Sequence, residues 1–170
     1  MHNHFELFQL PVQFAIDQSA LDRAYHEVQG RVHPDRFANA SDSEKRVAMQ
    51  WATRANEAYK TLKNPFKRAA YLCELHGIDL EVESNTAMPV TFLMQQMEWR
   101  ETLDDARGNK DAAALDKLEA GLRAERKETL TTIAAQLDAG QFKDAAGLVR
   151  QLMFLEKFSE EVANAQDAFA

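Results

Sequence analysis

A single cysteine, Cys73, stands in the 170-residue chain, so no internal disulfide and no thiolate cage for zinc or an iron–sulfur cluster can form. None of the six glycines belongs to a phosphate-cradling run, which removes the common nucleotide-binding loops. No apolar stretch approaches the ~20 residues that a membrane helix requires. The opening Met1-His-Asn-His-Phe-Glu6 lacks the basic and apolar regions of a secretion signal, so a cytoplasmic protein is expected. No segment reads as a β-strand, and neither an internal repeat nor a low-complexity tract is present. Basic charge is scarce where nucleic acid would need it. Residues 1–76 carry ten Lys and Arg against nine Asp and Glu, whereas residues 77–170 carry ten against eighteen. The acidic second half cannot supply concentrated phosphate contacts, and nucleic-acid binding is excluded as a principal role.

What is present is helical periodicity, and the chain reads as all-α. Phe5, Leu7, Phe8 and Leu10 form a short apolar helix ended by Pro11. Asp17 caps a helix whose Leu21, Ala24, Tyr25, Val28 and Val32 follow the i, i+3, i+4 rule. Ser41 and Glu44 have capping-box spacing at the head of a second long helix. Its stripe is Ala48, Trp51, Ala52, Ala55, Ala58, Tyr59 and Leu62, with Trp51, Tyr59 and Phe66 expected in the core. Pro65 opens the next helix, and Gly77 closes it. Residues 77–88 lack periodicity and coincide with the change in charge, so a linker is expected there. Pro89 then opens a helix to about Arg107, stopped by Gly108-Asn109; Asp111 caps a long helix ending at Gly140; a last helix follows from about Phe142. Short connections between these three imply a bundle.

The most informative residues lie between the first two long helices. Pro34 has no amide hydrogen and its ring drives His33 out of the helical region, so the helix stops near Val32 and His33-Pro34-Asp35 forms a rigid exposed loop. An acid–base reading of His33 and Asp35 finds no positioned nucleophile or third orienting group, so an enzyme is not expected. Cys73 and His76 fall short of the four ligands of a structural zinc site, and His2 and His4 at the terminus have no assigned role.

A second feature lies on the Pro89 helix. Phe92, Trp99, Leu103 and Ala106 suffice to bury one face, yet Leu93, Met94 and Met97 make a further apolar row continued by Glu98, Glu101 and Asp105. Phe154 repeats the anomaly on the last helix, about 200° from Leu152 at ~100° per residue. An apolar patch with an acidic rim, adaptable through methionine, fits either a protein partner or the other half of this chain.

The two helices flanking His33-Pro34-Asp35, with the preceding short helix and the helix-opening Pro65, resemble a J-domain. The runs Phe5–Pro11, His33–Phe37, Ala69–Gly77 and Phe92–Glu101 together resemble the HscB family, the J-type co-chaperones of iron–sulfur cluster assembly, over essentially the whole chain. The likeness is to its bacterial members, which lack the cysteine-rich N-terminal extension of the eukaryotic ones. It implies an all-α fold with a J-domain helical hairpin over residues 1–76, a linker over 77–88 and a C-terminal three-helix bundle over 89–170. It also implies stimulation of the ATPase of a dedicated Hsp70-class chaperone, HscA, and delivery of the scaffold IscU to it, with no cofactor. On that resemblance His33, Pro34, Asp35, Arg23, His26 and Arg31 meet the chaperone. Leu93, Met94, Met97, Glu98, Glu101, Asp105 and Phe154 then meet the scaffold. Gln9 stands where the family often has glycine, Glu27 and Gly30 dilute the basic face, and Asp105 replaces the usual glutamate. The alternatives are a general J-domain chaperone whose bundle binds unfolded clients, and an unrelated helical enzyme that turns over substrate without a partner.

Overall fold

The computed structural model describes residues 3–80 and 88–169. His2, and the part of the expected linker at 81–87, lie outside the described residues. Every element among them is helical: seven α-helices and one 3-10 turn. The chain divides into two units, Met1–Leu72 and Cys73–Ala170.

In the first unit, α1 (His4–Leu7) is started by Asn3. The Asn3 side chain accepts the Glu6 N–H at 2.9 Å and the Glu6 carboxylate accepts the Asn3 N–H at 3.3 Å, a reciprocal box that satisfies two orphan donors. His4, to which the sequence assigned no role, is tied into the fold. Its ring stacks on Tyr71 at 4.4 Å and its N–H donates to the Tyr71 hydroxyl at 2.9 Å, while burial pushes its pKa down.

α1 ends in a Schellman motif: the Leu10 N–H donates to the Phe5 carbonyl at 2.9 Å and the Gln9 N–H to the Glu6 carbonyl at 3.0 Å. The motif forces Gln9 to φ +56°, where an L side chain costs ~1–2 kcal/mol. Gln9→Gly removes that strain, and the extra freedom it gives the unfolded chain, ~0.4–1 kcal/mol, offsets only part of the gain. The expected result is a net stabilisation of ~0.5 kcal/mol, read as a higher denaturant midpoint at unchanged slope.

α2 (Gln18–Arg31) starts at Asp17, whose side chain accepts the Ser19 and Ala20 N–H groups. It runs antiparallel to α3 (Asp42–Lys63), as shown by hydroxyl bonds from Tyr25 to Asn56 and from Tyr59 to Asp22. The two tyrosine rings stack at 4.1 Å. Ala48, Ala55 and Ala58 are buried on α3, and these small side chains let the hairpin close around Leu21 and Leu62. Trp51 departs from the expected stripe. The register set by the Tyr25–Asn56 and Asp22–Tyr59 bonds puts it opposite Gly30 in the last turn of α2, which has no side chain to cover the indole, and it stays 39% exposed. α4 (Pro65–Leu75) opens at Pro65. Buried Arg68 on it donates to the Leu62 carbonyl at 2.6 Å, capping the last turn of α3, and lies 4.7 Å over the Phe14 ring.

The division at Leu72 falls earlier than the expected end at residue 76, because the residues after it bond within the second unit. The Ile78 N–H closes a Schellman motif on the Cys73 carbonyl at 3.1 Å, with Gly77 at φ +83°. The His76 ring stacks on Phe142 at 3.8 Å, and Arg150 donates to the Leu80 carbonyl at 3.2 Å. Burial pushes the Cys73 thiol up to about 11.

The bundle proper is α5 (Val90–Gly108), α6 (Ala112–Asp138) and α7 (Phe142–Ala168). Its core contains Leu103, Leu115, Ile133, Leu152 and Leu155, nearly all wholly buried; truncating one such residue to alanine costs ~2–5 kcal/mol. α5 stops at Gly108-Asn109 as expected, but the left-handed residue of the cap is not the glycine. Gly108 is helical, and Lys110, at φ +50°, takes the left-handed position, with the Asp111 N–H on the Ala106 carbonyl at 2.9 Å. Asp111 then caps α6 by accepting the Ala114 N–H, as its position predicts.

Candidate functional site

Two surfaces carry the residues singled out by the sequence. The first is the turn between α2 and α3. His33 is extended at φ −61°, ψ 136°, and Pro34–Phe37 forms a single 3-10 turn closed by the Arg36 N–H on the His33 carbonyl at 3.0 Å. Within the turn, His33 Nδ1 accepts the Asp35 N–H at 3.2 Å. A nitrogen that accepts has no proton, so the neutral ring carries its hydrogen on Nε2, which is left to act as a donor. For the same reason the 3.6 Å approach of Nδ1 to the Asp35 carboxylate is not an ion pair in this state. Asp35 stands with its side chain 94% exposed, as an accessible carboxylate on a turn that proline has already stiffened.

The basic positions before the turn, Arg23, His26 and Arg31, are all exposed on α2. Arg31 pairs with Glu27 one turn earlier. An exposed i, i+4 pair of this kind is worth only ~0.3–0.5 kcal/mol, so an incoming carboxylate can take Arg31 from Glu27 at little cost.

The second surface is a groove of about 980 Å³ between α5 and α7. Leu93, Met97, Glu101 and Asp105 recur every four residues, so they form one ridge along α5. All four line the groove, and Phe154 lines it from α7. Leu93 is 44% exposed, Met97 71% and Phe154 49%, while Phe92, Trp99, Leu103 and Ala106 fill the buried face as the spacing predicts. Met94 and Glu98 are exposed on α5 but do not line the groove.

Sequence reasoning missed the cross-brace of this groove. Arg100 on α5 forms a two-pronged bond to the Glu161 carboxylate on α7, and its guanidinium lies 5.0 Å over the Phe158 ring. The available signal was the extension of the ridges: Arg100 is three residues beyond Met97, and Phe158 and Glu161 are four and seven beyond Phe154. The Arg100 hydrogen bond holds the Glu161 carboxyl below its ordinary value of 4.5. A lowered folded-state pKa means the brace contributes fully above the unfolded pKa and is lost as pH falls through the folded one. In a thermal-midpoint series from pH 6 to pH 3, Glu161→Gln is expected to remove a component worth under ~1 kcal/mol, since the pair is well exposed.

Residues 88–163 match the family model described as the HSCB C-terminal oligomerisation domain. Over 160 residues, 94% of this chain and 91% of the relative, the sequence is 58% identical to the co-chaperone protein HscB homolog of Burkholderia mallei. The chain belongs to the HscB family. The HscB homolog of Burkholderia multivorans is 57% identical over the same span. Among solved structures, the chaperone HscB from Vibrio cholerae matches 99% of this chain with 100% of its own, at a TM-score of 0.86 and 38% identity. Human co-chaperone protein HscB matches 96% of this chain with 81% of its own, at a TM-score of 0.90 and 29% identity. These matches agree with the all-α fold expected of an HscB relative. No described helix is long and apolar enough to cross a membrane, and no cluster of three or more His, Cys, Asp or Glu among the described residues could hold a metal ion.

Proposed function

We propose that this chain is a non-catalytic adaptor: it stimulates ATP hydrolysis by a dedicated Hsp70-class chaperone, HscA, and delivers the iron–sulfur scaffold IscU to it. The chaperone meets the turn at His33, Pro34 and Asp35, with Arg23, His26 and Arg31 supplying positive charge. The scaffold meets Leu93, Met97, Glu101, Asp105 and Phe154 in the groove, and Met94 and Glu98 on the exposed surface of α5 outside it. The observation that carries this reading is the groove itself. Apolar side chains from two helices, each surplus to the bundle core, converge there, and Glu101 and Asp105 continue the α5 ridge along the same groove. A desolvated apolar centre supplies affinity and the charged rim supplies association rate.

Among the described residues no cluster that could hold a metal ion accompanies either surface, and the reading needs none. A general chaperone for unfolded clients would want a surface tolerant of many sequences, whereas the buried packing between α5 and α7, with Trp99 stacked on Phe158 at 6.1 Å, holds the groove walls and favours one folded partner. Capture from bacterial cytosol on the immobilised full chain tests the choice. One small scaffold and one ATPase should dominate the eluate; a broad ladder of denatured proteins would favour the general chaperone instead.

A further inference from the structure

The exposure of Trp51 has a partner in its surroundings. Trp51, Val47 and Ala48 on α3, with Phe37 from the 3-10 turn and Val32 from the end of α2, line a cleft of about 300 Å³ rimmed by Ser43 and Glu44. Glu44, Val47, Ala48 and Trp51 follow one helical stripe, so the cleft is built into the fold rather than being a chance depression. Val47 is also an exposed large apolar residue, and Arg54 lies 5.4 Å over the indole ring of Trp51.

We infer that this cleft is part of the chaperone-docking surface and receives an apolar side chain of the Hsp70-class partner; the inference rests on the reading that Asp35 docks that partner. Two arguments identify the occupant. Phe37 is two residues from Asp35, so their Cα atoms are at most ~7.6 Å apart. A protein interface of ordinary size covers ~800 Å² on each side, a disc of ~16 Å radius. A footprint centred on Asp35 therefore extends over Phe37 and the cleft it lines. The chemistry agrees: an indole and a valine beside a polar turn reproduce the usual interface pattern, in which a tryptophan is desolvated next to charge-assisted hydrogen bonds. The His33-Pro34-Asp35 turn then supplies orientation, and the cleft supplies affinity.

The test uses the full chain labelled with 5-fluorotryptophan, whose two ¹⁹F resonances come from Trp51 and Trp99 and are assigned with Trp51→Phe. Unlabelled chaperone and ATP are added without scaffold. The Trp51 resonance is expected to shift and lose its solvent isotope effect, while Trp99, buried in the bundle, keeps its chemical shift. In parallel, Trp51→Ala should raise the concentration for half-maximal ATPase stimulation about tenfold while leaving the maximum unchanged. An unchanged Trp51 resonance at concentrations that saturate stimulation, or an unchanged half-maximal concentration for Trp51→Ala, overturns the inference and leaves the role of Asp35 standing. Full stimulation by Asp35→Asn overturns the underlying reading instead.

Discussion

Replacing both Leu93 and Phe154 by alanine is expected to eliminate scaffold binding in practice while leaving the bundle folded. Both side chains line the groove, and both lie outside the buried core. Central interface residues of this kind typically cost ~2 kcal/mol or more on truncation, about thirtyfold each. They sit on different helices, so the two losses should largely add, although residues that close one site can couple. Calorimetry with IscU should show affinity reduced by at least about a hundredfold, with helicity and thermal midpoint close to those of the unaltered chain. A midpoint lowered by many degrees would place Leu93 and Phe154 in the core; unaltered affinity would place the scaffold site elsewhere. Scaffold-free stimulation of the chaperone should survive in the same double variant. Only the additional rate seen with scaffold should vanish, because that rate comes from raising the scaffold's effective concentration at the chaperone.

The second large effect is expected from Asp35→Asn. The Asp35 N–H, which the His33 ring accepts, is unchanged by the substitution, and the side chain is almost wholly in solvent. The turn should keep its shape, with under ~0.5 kcal/mol lost in stability, as at surface sites generally. What is lost is the charge. A carboxylate meeting an arginine or a polarised amide forms a short, strong bond that the neutral amide cannot match. Stimulation of the chaperone ATPase should fall to the basal rate even at saturating variant. The expected discriminating control is His33→Gln, which changes the acceptor for the Asp35 N–H and should leave the turn looser as well as inactive, visible as faster amide exchange at Asp35.

Much of this architecture could be read from the chain because helix ends carry local chemistry. Asp17, Ser41 and Asp111 accept backbone N–H groups at the expected starts, and Pro65 opens α4. Gly77 and Gly140 take positive φ at expected stops. The left-handed caps at Gln9 and Lys110 were illegible for the corresponding reason: that position is filled there by residues with no preference for it, although α5 itself ends at Gly108, within a residue of the expected stop. The Asn3–Glu6 box was legible and overlooked, and with it the place of His4.

The site was half legible. A surplus apolar row on α5 and the misplaced Phe154 announce a surface, because residues that a helix does not need for its core must be explained otherwise. Periodicity cannot say which of those residues meet across two helices. Met94 and Glu98 belong to the row yet fall outside the groove, and Arg100 and Glu161 belong to the groove yet look like ordinary solvated charges in sequence. Trp51 shows the limit from the other side. It fits the inward stripe of α3 by spacing, but burial needs a side chain opposite it, and the register of the hairpin puts Gly30 there.

The most direct measurement of the central claim is steady-state ATP hydrolysis by HscA, titrated with the full chain in the presence and absence of IscU. The account predicts stimulation by the chain alone, a larger stimulation when scaffold and chain are present together than the sum of their separate effects, and loss of both with Asp35→Asn. Stimulation by scaffold that is the same with and without this chain, or an ATPase rate indifferent to the chain at every concentration, would contradict it.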